Sequence, residues 1–213
     1  MENIEKDYVR IIGITGGIGA GKSVVSRILR LKGYEVYDCD WHARRIMENV
    51  EAVVSSLKER FGEECYLADG SLDRAFLAEK IFSDIEERMW VNELVHTAVR
   101  EDITDWVKSI ETKYLSESLS SGGGVPVFIE SAILHSSGLD ILCTEIWIVD
   151  APEEVRKERA MNRGGISETD LEKRISTQKR EFEGLSNEKI KVIDNSGAKA
   201  LLTQIDSLLD EYR

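Results

Sequence analysis

The sequence predicts an α/β fold: a parallel sheet of about five strands flanked by helices, carrying a helical insert and a lid. Three observations predict it. Apolar, β-branched runs recur at Val9 to Ile14, Tyr34 to Tyr37, Val125 to Ile129, Ile146 to Val149 and Ile190 to Ile193, separated by helix-period segments. Such alternation builds a parallel sheet with crossover helices. The run Gly16-Gly17-Ile18-Gly19-Ala20-Gly21-Lys22-Ser23 fits G-x-x-x-x-G-K-[ST] just after the first apolar run, the setting of a phosphate-binding loop in a P-loop NTPase-type sheet. Finally, a long stretch between the second and third runs, about Trp41 to Leu119, reads as several helices and is too long for a plain crossover.

Taken in chain order, the first strand leads into glycines that let backbone N–H groups curl round the phosphates of a nucleotide. The helix starting near Lys22 adds its positive dipole end, Lys22 supplies a full charge, and Ser23 can place its hydroxyl on magnesium. A dinucleotide fingerprint fails on spacing, because the third glycine of G-x-G-x-x-G would fall at Lys22 or Val24. The helix after the loop shows Val24, Val25, Ile28, Leu29 and Leu31 and stops near Gly33. In the insert, helices are expected over Ala52 to Phe61, Leu72 to Phe82 and Glu86 to Lys108, with Trp90 and Trp106 as core residues. The glycine-rich stretch Ser116 to Gly124 reads as a flexible connector. These readings divide the chain into a nucleotide-binding core, 1–40 and 120–213, with a lid about 156–180, and a helical substrate-binding insert, 41–119.

Composition narrows the function classes. The chain has 213 residues and a formal net charge of -12, which argues against nucleic acid or an anionic membrane as partner, since both attract a positive surface. No apolar run reaches the length of a membrane span, and the charged start lacks a signal-peptide core, so a cytoplasmic protein is expected. Cys39, Cys65 and Cys143 have no C-x-x-C spacing, and His42, His96 and His135 lack metal-ligand spacing. Magnesium brought with a nucleotide is therefore the expected metal. A local basic cluster, Arg156 to Arg180, stands out against the acidic background; most of it reads as a solvated helix laced with ion pairs.

Ligands of open parallel sheets sit at the carboxyl ends of the strands. The polar residues there are Asp38 and Asp40, Glu130, Asp150, and Asp194 with Asn195. A carboxylate at Asp38 or Asp40 could accept the proton of an attacking hydroxyl, hold magnesium through water, or, at Asp40, cap a helix; Arg44, one turn on, could hold phosphate. Glu130 occupies the place where P-loop proteins put an acid near magnesium, whereas Asp150 reads as a cap for the helix after Pro152. Arg163, at the turn made by Gly164 and Gly165, is the candidate lid arginine that neutralises a transferring phosphoryl group.

The whole chain beyond a short amino-terminal extension resembles the dephospho-CoA kinase family. The matching pieces are Gly13 to Ser23, Asp38-Cys39-Asp40 with Ala43-Arg44, Asp69 to Arg74, Ile81 to Asp84, Trp90-Val91-Asn92 with His96, Val149 to Pro152, Arg159, Arg163, Arg174 with Gln178, and Asp194 to Gly197. The resemblance implies transfer of the ATP γ-phosphate to the ribose 3'-hydroxyl of dephospho-CoA, with Mg2+. It implies Asp40 as general base, Arg44 and His96 on the substrate side, Arg163 acting from the lid, and the Asn195 to Gly197 loop bordering the adenine. The sequence departs from the family at Ser136, where many members have a glutamate, at Thr97, and at Val24. A second small-molecule P-loop kinase, or a nucleotide-binding regulator, would share the loop; no N-K-x-D run marks guanine selection.

Overall fold

The computed structural model describes residues 9–116, 124–165, 167–183, 185 and 189–212. The expected connector after Ser116 lies largely outside the described residues. The chain forms two compact units, one of Met1–Asp38 with Ser109–Arg213 and the other of the intervening sequence Cys39–Lys108.

The first unit is built on five parallel strands, β1 (Val9–Thr15), β2 (Val36–Asp38), β3 (Val125–Glu130), β4 (Glu145–Asp150) and β5 (Ile190–Asp194), in the order β2-β3-β1-β4-β5. β1 thus lies at the centre, with β3 on one side and β4 on the other, where the order of connection reverses. That reversal opens a crevice beyond the carboxyl end of β1. Val127, Phe128 and Ile129 are all fully buried, so β3 is covered on both faces, as an apolar run in a parallel sheet requires.

Helices α1 (Lys22–Leu31) and α8 (Leu201–Leu209) cover one face. Val25 and Leu29 of α1 meet Ile205 and Leu209 of α8 over Ile12, Ile14, Phe128, Trp147 and Ile193. Within this core the Phe128 ring lies 5.1 Å from Trp147 and is met edge-on by Tyr34 at 5.7 Å. α1 ends as expected at Gly33, where Tyr34 N–H bonds to Leu29 O and Gly33 N–H to Arg30 O, a Schellman closure. The other helices of this unit, α6 (Glu153–Asn162) and α7 (Glu168–Glu183), follow β4 in sequence and pack on each other through Ala160, Leu171 and Ile175.

The second unit contains α2 (Cys39–Asn49), α3 (Glu51–Phe61), α4 (Arg74–Ser83) and most of α5 (Ile85–Ser116). α4 starts two residues later than its apolar pattern implied. Asp73 caps it by accepting from Ala75 N–H and Phe76 N–H, and Leu72 instead pairs with Tyr66 in a short bridge. α5 outruns its expected end at Lys108, because the stripe Val91, Val95, Val99 and Ile103 continues to a buried Ile110. Trp90 and Trp106 are half-buried rather than central. Trp90 packs edge-on against Phe61 under the Arg60 guanidinium, which Glu87 holds with two bonds of 2.8 Å.

The contacts of Phe128 set a stability test. Phe128→Ala should cost about 3–5 kcal/mol in urea denaturation, and a loss below about 1 kcal/mol would contradict its place at the centre of the core.

Candidate active site

The phosphate loop occupies the turn from β1 into α1. Its backbone is held so closely at Gly19 and Gly21 that a side chain is excluded there. A Cβ on Gly19 would run into the Arg156 carbonyl, and one on Gly21 into the Asn195 amide; the two glycines also have φ of +78° and +101°, which L side chains rarely adopt. Gly21 sits at the N-cap of α1, no side chain caps that end, and its first turn holds no acidic residue. The positive end of the helix is therefore left for an anion. Lys22 Nζ donates to Gly16 O at 2.8 Å, and Ser23 is exposed in the same turn. At the end of β1, Thr15 Oγ1 is buried without a hydrogen-bond partner among the described residues. A nucleotide with its Mg2+ fits these residues: glycines leave room at the backbone, donors point from a helix end, and hydroxyls stand beside a lysine.

Three elements brace the loop from outside. Asn195, just beyond β5, donates from Nδ2 to Ala20 O at 2.7 Å, while its N–H bonds to Asp150 O at 2.7 Å. Arg156 of α6 anchors its Nε on Ala151 O at 3.0 Å and lies over Gly17, where a Cβ would strike its guanidinium. Arg159, one turn on, donates Nη2 to Asn195 O at 3.0 Å, leaving a buried Nη1 without a partner among the described residues. From α7, Gln178 Oε1 accepts the Ile18 N–H at 2.7 Å. Asp150 is not the expected cap. β4 runs through it, and Pro152 takes the N-cap position of α6 without a side-chain cap bond.

Glu130 ends β3 in register with Asp38 at the end of β2 and with Ile14 beside the loop. Burial pushes its carboxyl above the usual range, and the Asp38 carboxylate adds to the shift. The buried Ser26 hydroxyl pulls the other way, as do Lys22 and Arg30. Two carboxylates on adjacent strand ends can share a cation held mainly by phosphates. Among the described residues no cluster of three or more His, Cys, Asp or Glu side chains could hold a metal ion unaided.

Asp194 accepts the Ser196 N–H at 2.8 Å; with the Ser196 hydroxyl, this holds the Asp194 carboxyl below the usual range. The turn continues into Gly197, with φ of +97°. Arg163 is the exposed C-cap of α6, followed by Gly164 and Gly165.

The loop, Glu130, Arg163, Asn195 and Gly197 thus belong to the first unit. Asp40, Arg44 and His96 belong to the second. Asp40 lies inside the first turn of α2 rather than capping it, and it is exposed, as is Arg44 one turn later. His96 is half-buried on α5. On α2, His42 Nδ1 bonds to Asp102 at 2.9 Å and Arg45 lies 4.9 Å over the Trp41 ring. The sequence reading placed Arg156 and Gln178 in the lid segment, with Arg163 as the preferred lid arginine, and gave neither a contact with the loop. Each acts on the loop from more than a hundred residues away, and no local pattern announces it.

The family model for dephospho-CoA kinase matches residues 10–200. A relative from Porphyromonas gingivalis, a dephospho-CoA kinase, is 41% identical over 170 residues, 80% of this chain and 78% of that protein. A solved structure from Thermus thermophilus is 32% identical and superposes with a TM-score of 0.71 over 97% of this chain and 99% of that one. The dephospho-CoA kinase of Campylobacter jejuni shares the fold, with a TM-score of 0.67 at 19% identity over 95% of this chain and 96% of that one. No helix among the described residues is long and apolar enough to cross a membrane.

A carboxyl raised by burial favours the folded state while protonated, and that contribution is lost as pH rises from the ordinary carboxylate range through the raised value. Glu130→Gln should therefore melt higher than the parent protein at neutral pH, and the gap should shrink as pH falls below that range. Equal melting temperatures at both ends would show that the carboxyl is not penalised by its surroundings.

Proposed function

The chain belongs to the dephospho-CoA kinase family, and on that premise we infer how its residues divide the work of moving the γ-phosphoryl group of ATP to the ribose 3'-hydroxyl of dephospho-CoA. The observation that carries this reading is the phosphate loop at the carboxyl end of β1, with its uncapped α1 terminus and Lys22.

In the proposed assignment, the loop from Gly16 to Ser23 holds the ATP phosphates through backbone N–H groups other than those of Ile18 and Ala20, which bond to Gln178 and Gly17 O, and Lys22 balances charge that spreads outward during transfer. Ser23 and Glu130 would hold Mg2+, which would offset the charge of the phosphates. Asn195 and Gly197 border the adenine, while the Asn195 side chain keeps its bond to Ala20 O. Asp40 takes the proton of the attacking 3'-hydroxyl; its exposed carboxylate in the first turn of α2 supports that role. Arg44 and His96 bind the acceptor, and the helical unit that carries them serves as the substrate-binding insert. The lid, about residues 156–180, brings Arg163 to the transferring group and excludes water that would hydrolyse ATP. Both substrates are water-soluble nucleotides, and the proposal extends to a cytoplasmic location.

The test is ADP production from ATP and Mg2+ with dephospho-CoA as acceptor, run beside adenosine, AMP and no acceptor, with the product weighed by mass spectrometry. ADP that appears only with dephospho-CoA, together with a singly phosphorylated product, is the expected result; ADP only with another acceptor would reject the substrate assignment. Asp40→Asn should keep ATP affinity and lose roughly a hundred-fold or more in kcat, and near-normal turnover would remove it as the base.

A further inference from the structure

The Gly17–Ile18 peptide is pinned at both ends. Gly17 O accepts the Ala20 N–H at 3.1 Å inside the loop, and Ile18 N–H donates to Gln178 Oε1 at 2.7 Å. The second bond comes from α7, the lid helix, 160 residues away in sequence. The Ile18 side chain packs against the same helix pair, beside Ala160, Leu171 and Ile175. Leu171, Ile175 and Gln178 follow the i, i+4, i+7 spacing of one helical face. One side of α7 therefore receives both the side chain and the N–H of a single loop residue.

That peptide needs an external hold. It is flanked by Gly16, Gly17 and Gly19, and glycines offer little resistance to rotation of a peptide plane. If it turned over, Gly17 O would leave the Ala20 N–H and face the Gln178 carbonyl oxygen, and the half-buried Ile18 N–H would lose its acceptor, so the turn that aims the loop's remaining donors at phosphate would come undone. Gln178 opposes this directly, because its carbonyl oxygen accepts an N–H and repels a carbonyl.

We propose that Gln178 is a positioning residue for ATP: from the lid helix it fixes the Gly17–Ile18 peptide in the orientation that presents the phosphate loop's donors to the nucleotide. The inference rests on the loop holding ATP phosphates. It adds a route by which the lid, through Gln178, sets the grip on nucleotide apart from any contact made by Arg163.

The experiment uses the full chain and titrates Mg·ADP by calorimetry, with KM for ATP, KM for dephospho-CoA and kcat measured alongside. Gln178→Met keeps the length of the side chain and removes the acceptor. It should weaken ADP binding and raise the KM for ATP roughly five-fold, the scale of one net hydrogen bond, while the KM for dephospho-CoA stays put. Ile18→Pro removes the donor instead. If both act through this bond, Ile18→Pro should add little in the Gln178→Met background. Unchanged ADP affinity in Gln178→Met, even with a lowered melting temperature, would overturn the proposal by reducing the contact to plain packing; full additivity of the two substitutions would also overturn it. Wild-type protein that binds no Mg·ADP, or Lys22→Ala that binds it normally, would instead reject the phosphate-loop reading beneath it.

Discussion

Everything in the first unit answers to one constraint: the loop after β1 must turn its N–H groups toward one point, so its outward-facing polar groups need partners from elsewhere. The apolar packing of α1 and α8 on the sheet fixes where the loop starts and ends. It does not fix the peptide planes between. Those are held by Ala20 N–H on Gly17 O, by Asn195 on Ala20 O and by Gln178 on Ile18 N–H, while Arg156 and Val149 close in on the glycines. The glycines make the approach possible and the loop pliable, and the surrounding bonds remove the pliability.

Electrostatics follow the same division. The chain carries a net charge of -12, yet the loop gathers a helix end, Lys22 and Arg156 in one place. Such local concentration binds an anion where the whole molecule would repel it. Glu130 is the counterweight: a carboxyl partly removed from water, next to another carboxylate, is unfavourable for folding. Its position at the strand end is one a cation would relieve, so the cost is borne where the chemistry needs charge.

How much of this was legible in the sequence depended on distance along the chain. The phosphate loop was readable because strand, glycines, lysine and helix are contiguous, and each type has one physical job. The place of Glu130 at a strand end was readable because the apolar run before it ends abruptly. The stop of α1 at Gly33 was readable from the glycine alone. Asp150 misled, since an acid near Ala151-Pro152 looks like a cap, but the strand ladder with β5 holds it extended and the proline takes the cap position. The length of α5 was missed because charged residues around Glu111 mask a stripe that persists to Ile110. The contacts of Gln178 and Arg156 with the loop went unread, since a bond between a lid helix and a loop near the amino end leaves no periodicity to read.

The strand order also bears on how copies of this chain meet one another. The sheet's two outer strands are β2 and β5, and naked edges invite a neighbouring molecule to add a strand of its own. β2 offers only three residues, too short to template an extended partner. β5 is longer, but Lys191 stands on it, ion-paired to Glu211 at 3.0 Å, and a charged group on an edge discourages a second ladder. Among the described residues, a parallel sheet whose buried strands are strongly apolar thus carries at each margin a feature that disfavours intermolecular β-addition.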